Sequence, residues 1–271
     1  MLHTKIEITQ QQETASLITY ILNNPSNSNH KRPMIVICPG GGYQHTSDRE
    51  GEPVAIRFNS MGYHTCVLKY SVKPSVFPTA LCQLAKAVGL IREHSEEWNV
   101  DSNKIIILGF SAGGHLAGSL GVFWNKEILL NLLPYPNEQI KPNGLILSYP
   151  VITSGNYAHR GSIEALLGTH STSEEFLELF SLDKQVSIDT PPTFLWHTYT
   201  DAAVPVQNSF LFANALLNHS IPLEMHVYPK GIHGLSLGTE ETRVKDNEYS
   251  IQPEVTNWVE MADKWVRGLQ V

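Results

Sequence analysis

The chain has 271 residues, of which 42% are hydrophobic and 17% charged, with a mean hydropathy of -0.14. These proportions are typical of a soluble globular protein and exclude a disordered or membrane-spanning class. The formal net charge of -7 at pH 7 predicts neither a nucleic-acid partner nor an anionic membrane partner, because both attract basic surfaces.

The cysteines and the first residues bear on cellular location. Cys38, Cys66 and Cys82 lie in apolar segments and are expected to be buried thiols in a reducing compartment. The segment 1–10 contains no apolar run of the kind that a signal peptide needs. No segment approaches the ~20 apolar residues of a membrane span. A cytoplasmic location is therefore expected.

Short apolar and β-branched runs predict eight strands, of which the first two form an antiparallel hairpin. The predicted strands cover 4–9, 16–22, 34–38, 64–70, 104–110, 144–149, 193–197 and 223–228. A polar turn at 23–29 separates the hairpin from the third strand. Because the later runs are continuously apolar, they suit strands that are covered on both faces, as in a parallel sheet.

Helical periodicity fills the intervals between these strands. The predicted helices cover 78–98, 112–123, 205–218 and 253–268. In the helix at 205–218, the residues Val206, Phe210, Ala213 and Leu217 are expected to form the buried face.

The alternation of strand and helix predicts an α/β fold with a doubly wound, mostly parallel eight-stranded sheet. One domain is expected to span 1–271, since α/β domains often reach about 250 residues. Residues 155–185 interrupt the alternation and predict a small helical insertion, with one helix at 173–182.

A Gly-x-Ser-x-Gly motif at 109–113 contains a candidate nucleophile, Ser111. The motif directly follows a predicted strand and begins a helix of small residues. A sharp strand-to-helix turn of this kind exposes the serine and directs the N–H groups of the helix N-terminus at the reacting oxygen. The alternative is a glycine-rich turn whose serine only caps the helix.

A serine hydroxyl needs a base to take its proton. His233 is the candidate, because it lies between two glycines in a loop that follows the last strand. Asp201 comes just after the strand at 193–197, where catalytic groups of open α/β sheets gather, and could orient the imidazole. His115, one helical turn after Ser111, is expected to have a structural role.

Three glycines at 40–42 follow the strand at 34–38 and can present backbone N–H groups to a developing oxyanion, together with the N–H of Ala112. A phosphate-binding loop is the alternative, but the Gly-Lys-Ser/Thr and G-x-G-x-x-G patterns are absent from the sequence here. Asp48, Arg49 and Glu50 are expected to brace the glycine loop through charge pairs, and the alternative is that they only form a solvated turn. The sequence offers no metal-binding motif, and neither a metal nor a cofactor is expected.

The order of glycine-rich loop, serine, aspartate and histidine is that of the α/β-hydrolase fold. Within that superfamily the chain resembles compact carboxylesterases, including acetyl and acetylxylan esterases, near the hormone-sensitive-lipase-like and prolyl-oligopeptidase-like branches. The segments that carry the resemblance are PGGGY at 39–43, REGEPVAIRFNSMGY at 49–63, LGFSAGGHLAGSLG at 108–121, DAAVP at 201–205 and GIHG at 231–234. One departure is Pro39, which replaces the histidine of the lipase-like His-Gly-Gly-Gly motif, so the resemblance is closer to the sugar-esterase-like group.

The resemblance implies a role for each candidate residue and a reaction. The implied roles are Ser111 as nucleophile, His233 as general base, Asp201 as its orienting partner, and Gly41, Gly42 and Ala112 as oxyanion donors. The implied reaction is hydrolysis of a small-molecule ester with a short acyl chain, acetyl first, on sugars or xylan-derived oligosaccharides. Two alternatives stay open, namely a peptidase or amidase with the same triad and a non-catalytic binding module. The sequence leaves the oligomeric state open, a homodimer included.

Overall fold

The structure is a computed structural model that describes residues 1–25 and 28–269. Eight strands form one sheet of order β1-β2-β4-β3-β5-β6-β7-β8. The strands are β1 (Lys5–Gln10), β2 (Glu13–Tyr20), β3 (Arg32–Cys38), β4 (His64–Lys69), β5 (Val100–Phe110), β6 (Gly144–Ser148), β7 (Thr193–Thr198) and β8 (Leu223–Tyr228). The predicted number of strands is confirmed.

Strands β1 and β2 form the predicted antiparallel hairpin, and β2 is also antiparallel to β4. All the other neighbouring pairs are parallel, which confirms a mostly parallel sheet. Strand β2 begins three residues before its predicted start, because Glu13 and Thr14 pair with Gln10 and Thr9. The turn predicted at 23–29 lies partly outside the described residues.

The helices are α1 (Glu52–Ser60), α2 (Thr79–Glu93), α3 (Ala112–Phe123), α4 (Glu127–Leu130), α5 (Asn137–Ile140), α6 (Arg160–Leu167), α7 (Glu174–Leu179), α8 (Gln207–Asn218) and α9 (Trp258–Gly268). Helix α3 matches its prediction, whereas α2 and α9 are shorter than predicted. The insertion at 155–185 contains the predicted helix as α7 and also α6, which was not predicted. Among residues 1–25 and 28–269, no helix is both long and apolar enough to cross a membrane.

Helices cover both faces of the sheet and create two apolar cores. Successive side chains of a strand point to opposite faces, so Met34 and Val36 of β3 lie in one core while Ile35 and Ile37 lie in the other. Helices α2, α3 and α8 contribute to the first core, and α1 and α9 contribute to the second. The three cysteines are buried free thiols, as expected.

The predicted buried face of α8 is right for Val206 and Ala213, which are buried, and wrong for its other two residues. Phe210 and Leu217 are 49% and 65% exposed, whereas Phe212 and Leu216 are buried. A polar contact determines which face of the helix is buried. The side chain of Asn208 on the same helix is buried, and its Oδ1 accepts hydrogen bonds from two backbone N–H groups after β6. These bonds fix the rotation of the helix about its axis, and an apolar pattern contains no information about them.

Backbone elements approach very closely where α3 begins. A Cβ atom on Gly113 would lie 2.1 Å from the carbonyl oxygen of Cys38 and 2.5 Å from that of Pro39. A Cβ atom on Gly109 would lie 2.2 Å from the carbonyl oxygen of Gly113. The glycines of the Gly-x-Ser-x-Gly motif therefore let the start of α3 lie directly against the end of β3.

Replacing Gly113 with alanine should lower the free energy of unfolding by about 2 kcal/mol, because the added methyl group meets backbone oxygens that cannot rotate away. Urea titration followed by circular dichroism measures the change. Gly268→Ala is the matched control, since a Cβ atom on Gly268 would contact nothing within 4 Å, and stability should stay the same or rise slightly. Equal midpoints for G113A and the wild type would contradict the close approach.

Candidate active site

Ser111 occupies the sharp turn between β5 and α3, with φ 53° and ψ -118°. This left-handed backbone conformation is costly for a residue other than glycine and persists only where its surroundings fix it. The N–H of Ser111 donates to the carbonyl of Ser148 at 3.0 Å, and its carbonyl accepts from the N–H groups of His115 and Val151, each at 3.1 Å. The turn is thus fixed from both sides, with Ser111 only 7% exposed.

The structure brings together the three side chains that were predicted from distant parts of the sequence. Ser111 Oγ lies 2.8 Å from His233 Nε2, and His233 Nδ1 lies 2.6 Å from Asp201 Oδ2. A carboxylate only accepts hydrogen bonds, so Nδ1 donates to Asp201 and Nε2 is free to accept the serine proton. The other carboxylate oxygen, Oδ1, accepts from the N–H groups of Ala203 at 3.0 Å and Val204 at 2.9 Å.

A second histidine, His197, also contacts the aspartate and was not identified in the sequence. The buried His197 ends an apolar stretch of β7, and its Nε2 lies 3.3 Å from Asp201 Oδ2 and 2.9 Å from the carbonyl oxygen of Val204. Because that carbonyl can only accept, Nε2 carries the proton, while Nδ1 accepts from Ser209 Oγ at 2.7 Å. Its position four residues before Asp201 is the signal that could have identified it.

Burial raises the pKa of Asp201, but hydrogen bonds from His197, His233 and the Val204 N–H outweigh burial and bring the pKa well below its ordinary value. Asp201 is therefore a carboxylate throughout the neutral range. That negative charge stabilises a positive imidazolium at His233.

Asp201→Asn should reveal this depressed pKa in the pH dependence of stability. In the unfolded state, Asp201 takes up a proton near the ordinary pKa of an aspartate, whereas in the native state it does so only at lower pH. The carboxylate therefore stabilises the native state above the unfolded-state pKa, and this stabilisation is lost as the pH falls toward the native-state pKa. We expect the unfolding free energy of the wild type to exceed that of D201N by a constant amount above about pH 5, and the excess to shrink as the pH falls further. Denaturant titrations across this range measure the difference, and an excess that grows on acidification would refute the assignment.

The glycine loop after β3 lies beside the serine. Gly41 and Gly42 have φ values of +129° and +65°, which favour glycine. Both line a cavity of about 330 Å³ together with Ser111 and His233. Among residues 1–25 and 28–269, no protein atom accepts a hydrogen bond from either N–H. Ala112 begins α3 and is buried, and the first N–H groups of a helix have no partner within the helix.

Glu50 ties this loop to the loop that carries His233. The side chain is buried, and its Oε2 accepts from the Gly40 N–H at 2.8 Å. Its Oε1 accepts from the Tyr149 hydroxyl at 2.6 Å, and that hydroxyl accepts from the Ser236 N–H at 2.8 Å. The Tyr149 ring also packs edge-on against the His233 ring, with centroids 5.1 Å apart. Burial and the charge of Glu50 raise the pKa of Tyr149 well above its usual range, so the hydroxyl keeps its proton.

Arg49 makes a second link between the same two loops. Its guanidinium donates to the carbonyls of Gly234 at 3.0 Å and Thr242 at 2.7 Å. The expected bracing of the glycine loop is thus confirmed for Glu50, through a hydrogen bond rather than a charge pair, whereas the Arg49 guanidinium contacts the loop of His233 instead. The expectation is wrong for Asp48, which is exposed and pairs with Lys69 outside the loop.

Glu50→Gln should lower kcat about tenfold with little change in KM, because the amide nitrogen cannot accept a hydrogen bond and one link between the loops is lost. Steady-state kinetics with a chromogenic ester, alongside a urea titration, separate an effect on kcat from an effect on folding. Asp48→Asn removes a carboxylate two residues away on the surface and should leave both parameters unchanged. Equal losses in the two variants would show that Glu50 does not act through the loops.

His115 has the structural role that was expected. Its Nδ1 lies 3.0 Å from the Tyr43 hydroxyl and its Nε2 lies 3.1 Å from the Phe180 carbonyl oxygen. Burial lowers the pKa of His115 to about 4, so the ring is neutral. Within the described ranges, no group of three histidine, cysteine or acidic side chains is placed to hold a metal ion.

A mostly parallel eight-stranded sheet with a serine, histidine and aspartate at its carboxyl edge defines the class of α/β hydrolases. Within this class the chain belongs to the BD-FAE family, whose model matches residues 21–216.

Three known proteins are similar to this chain. A solved structure of an acetyl ester-xyloside bifunctional hydrolase from Caldicellulosiruptor lactoaceticus is 36% identical, with a TM-score of 0.84, over 97% of this chain and 95% of that one. Endo-1,4-beta-xylanase B from Butyrivibrio fibrisolvens is 41% identical over 83% of this chain and 36% of its own length. An acetylxylan esterase from Xylanibacter ruminicola is 28% identical over 83% of this chain and 44% of its own length. The chain thus spans less than half the length of these two curated relatives.

Proposed function

We propose that this chain is a serine esterase that removes short acyl groups, acetyl first, from carbohydrate esters such as xylan-derived oligosaccharides. The proposal depends above all on the contact of 2.8 Å between Ser111 Oγ and His233 Nε2, in a ring whose other nitrogen is bonded to Asp201. The names of the similar proteins, which include an acetylxylan esterase and an acetyl ester-xyloside hydrolase, support the substrate class.

In the proposed reaction, Ser111 Oγ attacks the ester carbonyl carbon while His233 Nε2 takes the hydroxyl proton. The carbonyl oxygen becomes an oxyanion that the N–H groups of Gly41, Gly42 and Ala112 stabilise, and each such donor contributes roughly 3–4 kcal/mol in related sites. The ester C–O bond then breaks, and the imidazolium gives its proton to the departing alcohol.

Water completes the cycle by attacking the acyl-serine while His233 again takes a proton. The tetrahedral anion that forms is stabilised by the same N–H groups. Collapse of this anion releases the carboxylic acid and returns the proton to Ser111 Oγ. His197 has no step of its own in this scheme, and we assign to it the positioning of Asp201.

The cavity next to Ser111 supports a small acyl group and a polar alcohol. Its lining consists of glycine, serine, glutamine, histidine and charged residues, with no aliphatic side chain and no phenylalanine, tyrosine or tryptophan among those described. An apolar pocket would gain about 0.8 kcal/mol for each buried CH₂ group of a long acyl chain. A lining without aliphatic side chains supplies less of that gain, whereas hydroxyl groups have many hydrogen-bonding partners there.

The cytoplasmic location predicted from the sequence remains a proposal. The support for it is that Cys38, Cys66 and Cys82 are all buried free thiols, a pattern typical of proteins kept in a reducing compartment.

The test is a hydrolysis screen over acyl length and alcohol type. We expect p-nitrophenyl acetate to be cleaved with at least about tenfold higher kcat/KM than the octanoate, and acetylated xylo-oligosaccharides to be deacetylated. Ser111→Ala should lower kcat by about 10⁴-fold or more and abolish labelling by a fluorophosphonate probe.

Three other results would each reject part of the proposal. Faster cleavage of long-chain esters would reject the short acyl group. Faster cleavage of a matched acetanilide would favour an amidase. Wild-type protein that neither reacts with the fluorophosphonate probe nor hydrolyses any ester would favour a binding module.

His226→Asn is a matched control, because His226 pairs with Glu224 on the same strand rather than with a residue of the site. This variant should keep full activity.

A further inference from the structure

Two polar side chains, Gln44 and His159, lie together where the insertion meets the glycine loop. The amide nitrogen of Gln44 lies 3.8 Å from the position that a Cβ atom on Gly42 would take and 3.7 Å from the corresponding position on Gly161. His159 Cε1 lies 3.8 Å from that same position on Gly161. Both side chains line the cavity that contains Ser111.

The hydrogen bonds of His159 fix its tautomer. His159 is the N-cap of α6, and its Nδ1 accepts from the backbone N–H of Ser162 at 3.3 Å and lies 2.8 Å from Ser162 Oγ. Since Nδ1 is an acceptor, the ring proton of the neutral form is on Nε2. Within the part of the chain that the structure describes, no protein atom accepts from this N–H.

The charge state of His159 agrees with this assignment. Its side chain is half-buried, and burial together with the nearby His233 lowers the pKa of His159 below its ordinary value. The ring is therefore neutral at pH 7, and it offers one fixed N–H donor rather than a positive charge.

Gln44 adds both a donor and an acceptor. Among residues 1–25 and 28–269, no protein group forms a hydrogen bond with its carboxamide, and the side chain is exposed at the rim of the cavity. A hydroxyl group both donates and accepts, so two neighbouring hydroxyls of a sugar ring match one imidazole N–H and one carboxamide. The alcohol part of a simple alkyl or aryl ester has no hydroxyl groups that could form hydrogen bonds with these two side chains.

We propose that Gln44 and His159 form a subsite that binds the hydroxyl groups next to the ester in a carbohydrate substrate. The inference rests on the proposed function and adds to it the residues that distinguish sugar esters from simple esters.

The experiment compares His159→Asn with the wild type on a monoacetylated methyl xyloside and on p-nitrophenyl acetate. Asparagine is a favoured N-cap, so its Oδ1 can replace Nδ1 as acceptor for Ser162 while the Nε2–H is lost. We expect kcat/KM on the xyloside to fall about tenfold, which corresponds to the loss of one hydrogen bond. On the chromogenic ester, kcat/KM should change less than about twofold. Gln44→Ala should show the same selectivity.

A binding measurement keeps this test independent of turnover. In the Ser111→Ala background, His159→Asn should weaken binding of the same xyloside about tenfold by calorimetry. His219→Asn is the matched control, since His219 is the C-cap of α8 and is exposed outside the cavity, and no parameter should change.

The outcomes separate the subsite from the reaction. An equal loss of kcat/KM on both substrates, or no loss on either, would overturn the subsite while leaving the esterase proposal intact. Wild-type protein that hydrolyses no ester would overturn the esterase proposal, and the calorimetric comparison would still decide whether these side chains bind the sugar. An unchanged affinity of His159→Asn for the xyloside would show that these side chains do not form a sugar subsite.

Discussion

Close backbone packing around Gly109 and Gly113 determines where the other groups of the site must lie. A methyl group at either position would overlap a carbonyl oxygen at 2.1 to 2.2 Å, so the start of α3 can lie directly against the end of β3. This packing brings the serine turn and the glycine loop to one place at the carboxyl edge of the sheet. The strained φ of Ser111 is tolerated because three backbone hydrogen bonds hold the residue from both sides.

Two buried carboxylates then fix the loops around this turn. Asp201 receives donors from His197, His233 and two backbone N–H groups, and Glu50 receives donors from Gly40 and Tyr149. Burying a charge costs several kcal/mol unless donors replace the lost water, and here each oxygen of both groups has at least one. One carboxylate orients the imidazole, and the other joins the loop of the imidazole to the glycine loop.

The local features of this chain could be predicted, whereas its long-range partnerships, apart from those of the triad, could not. The strands follow from continuous apolar runs, and α3 follows from the motif that begins it, because both signals are contained within a dozen residues. The candidate triad was found because the order of its residues along the chain is characteristic.

Two of the features that were missed depend on residues far apart in sequence, whereas the third, His197, lies only four positions before Asp201. Glu50 meets Tyr149 across 99 positions, and its partners carry no shared motif. The rotation of α8 is fixed by the buried Asn208, which apolar periodicity assigns to the wrong face. His197 looked like the end of a core strand, because the sequence alone does not show that its imidazole turns toward Asp201.

The long connection between β8 and α9 has a consequence for how the protein responds to heat. Residues 229–257, all of them described, contain two 3₁₀ turns as their only helices or strands, and they carry His233. Side chains anchor this segment, through Arg49, Tyr149 and the indole N–H of Trp258 that donates to Ser236. Segments held in this way open locally at lower free energy than a sheet does. Thermal inactivation should therefore begin while the far-ultraviolet spectrum is still native, and brief heating in that interval should be reversible on cooling.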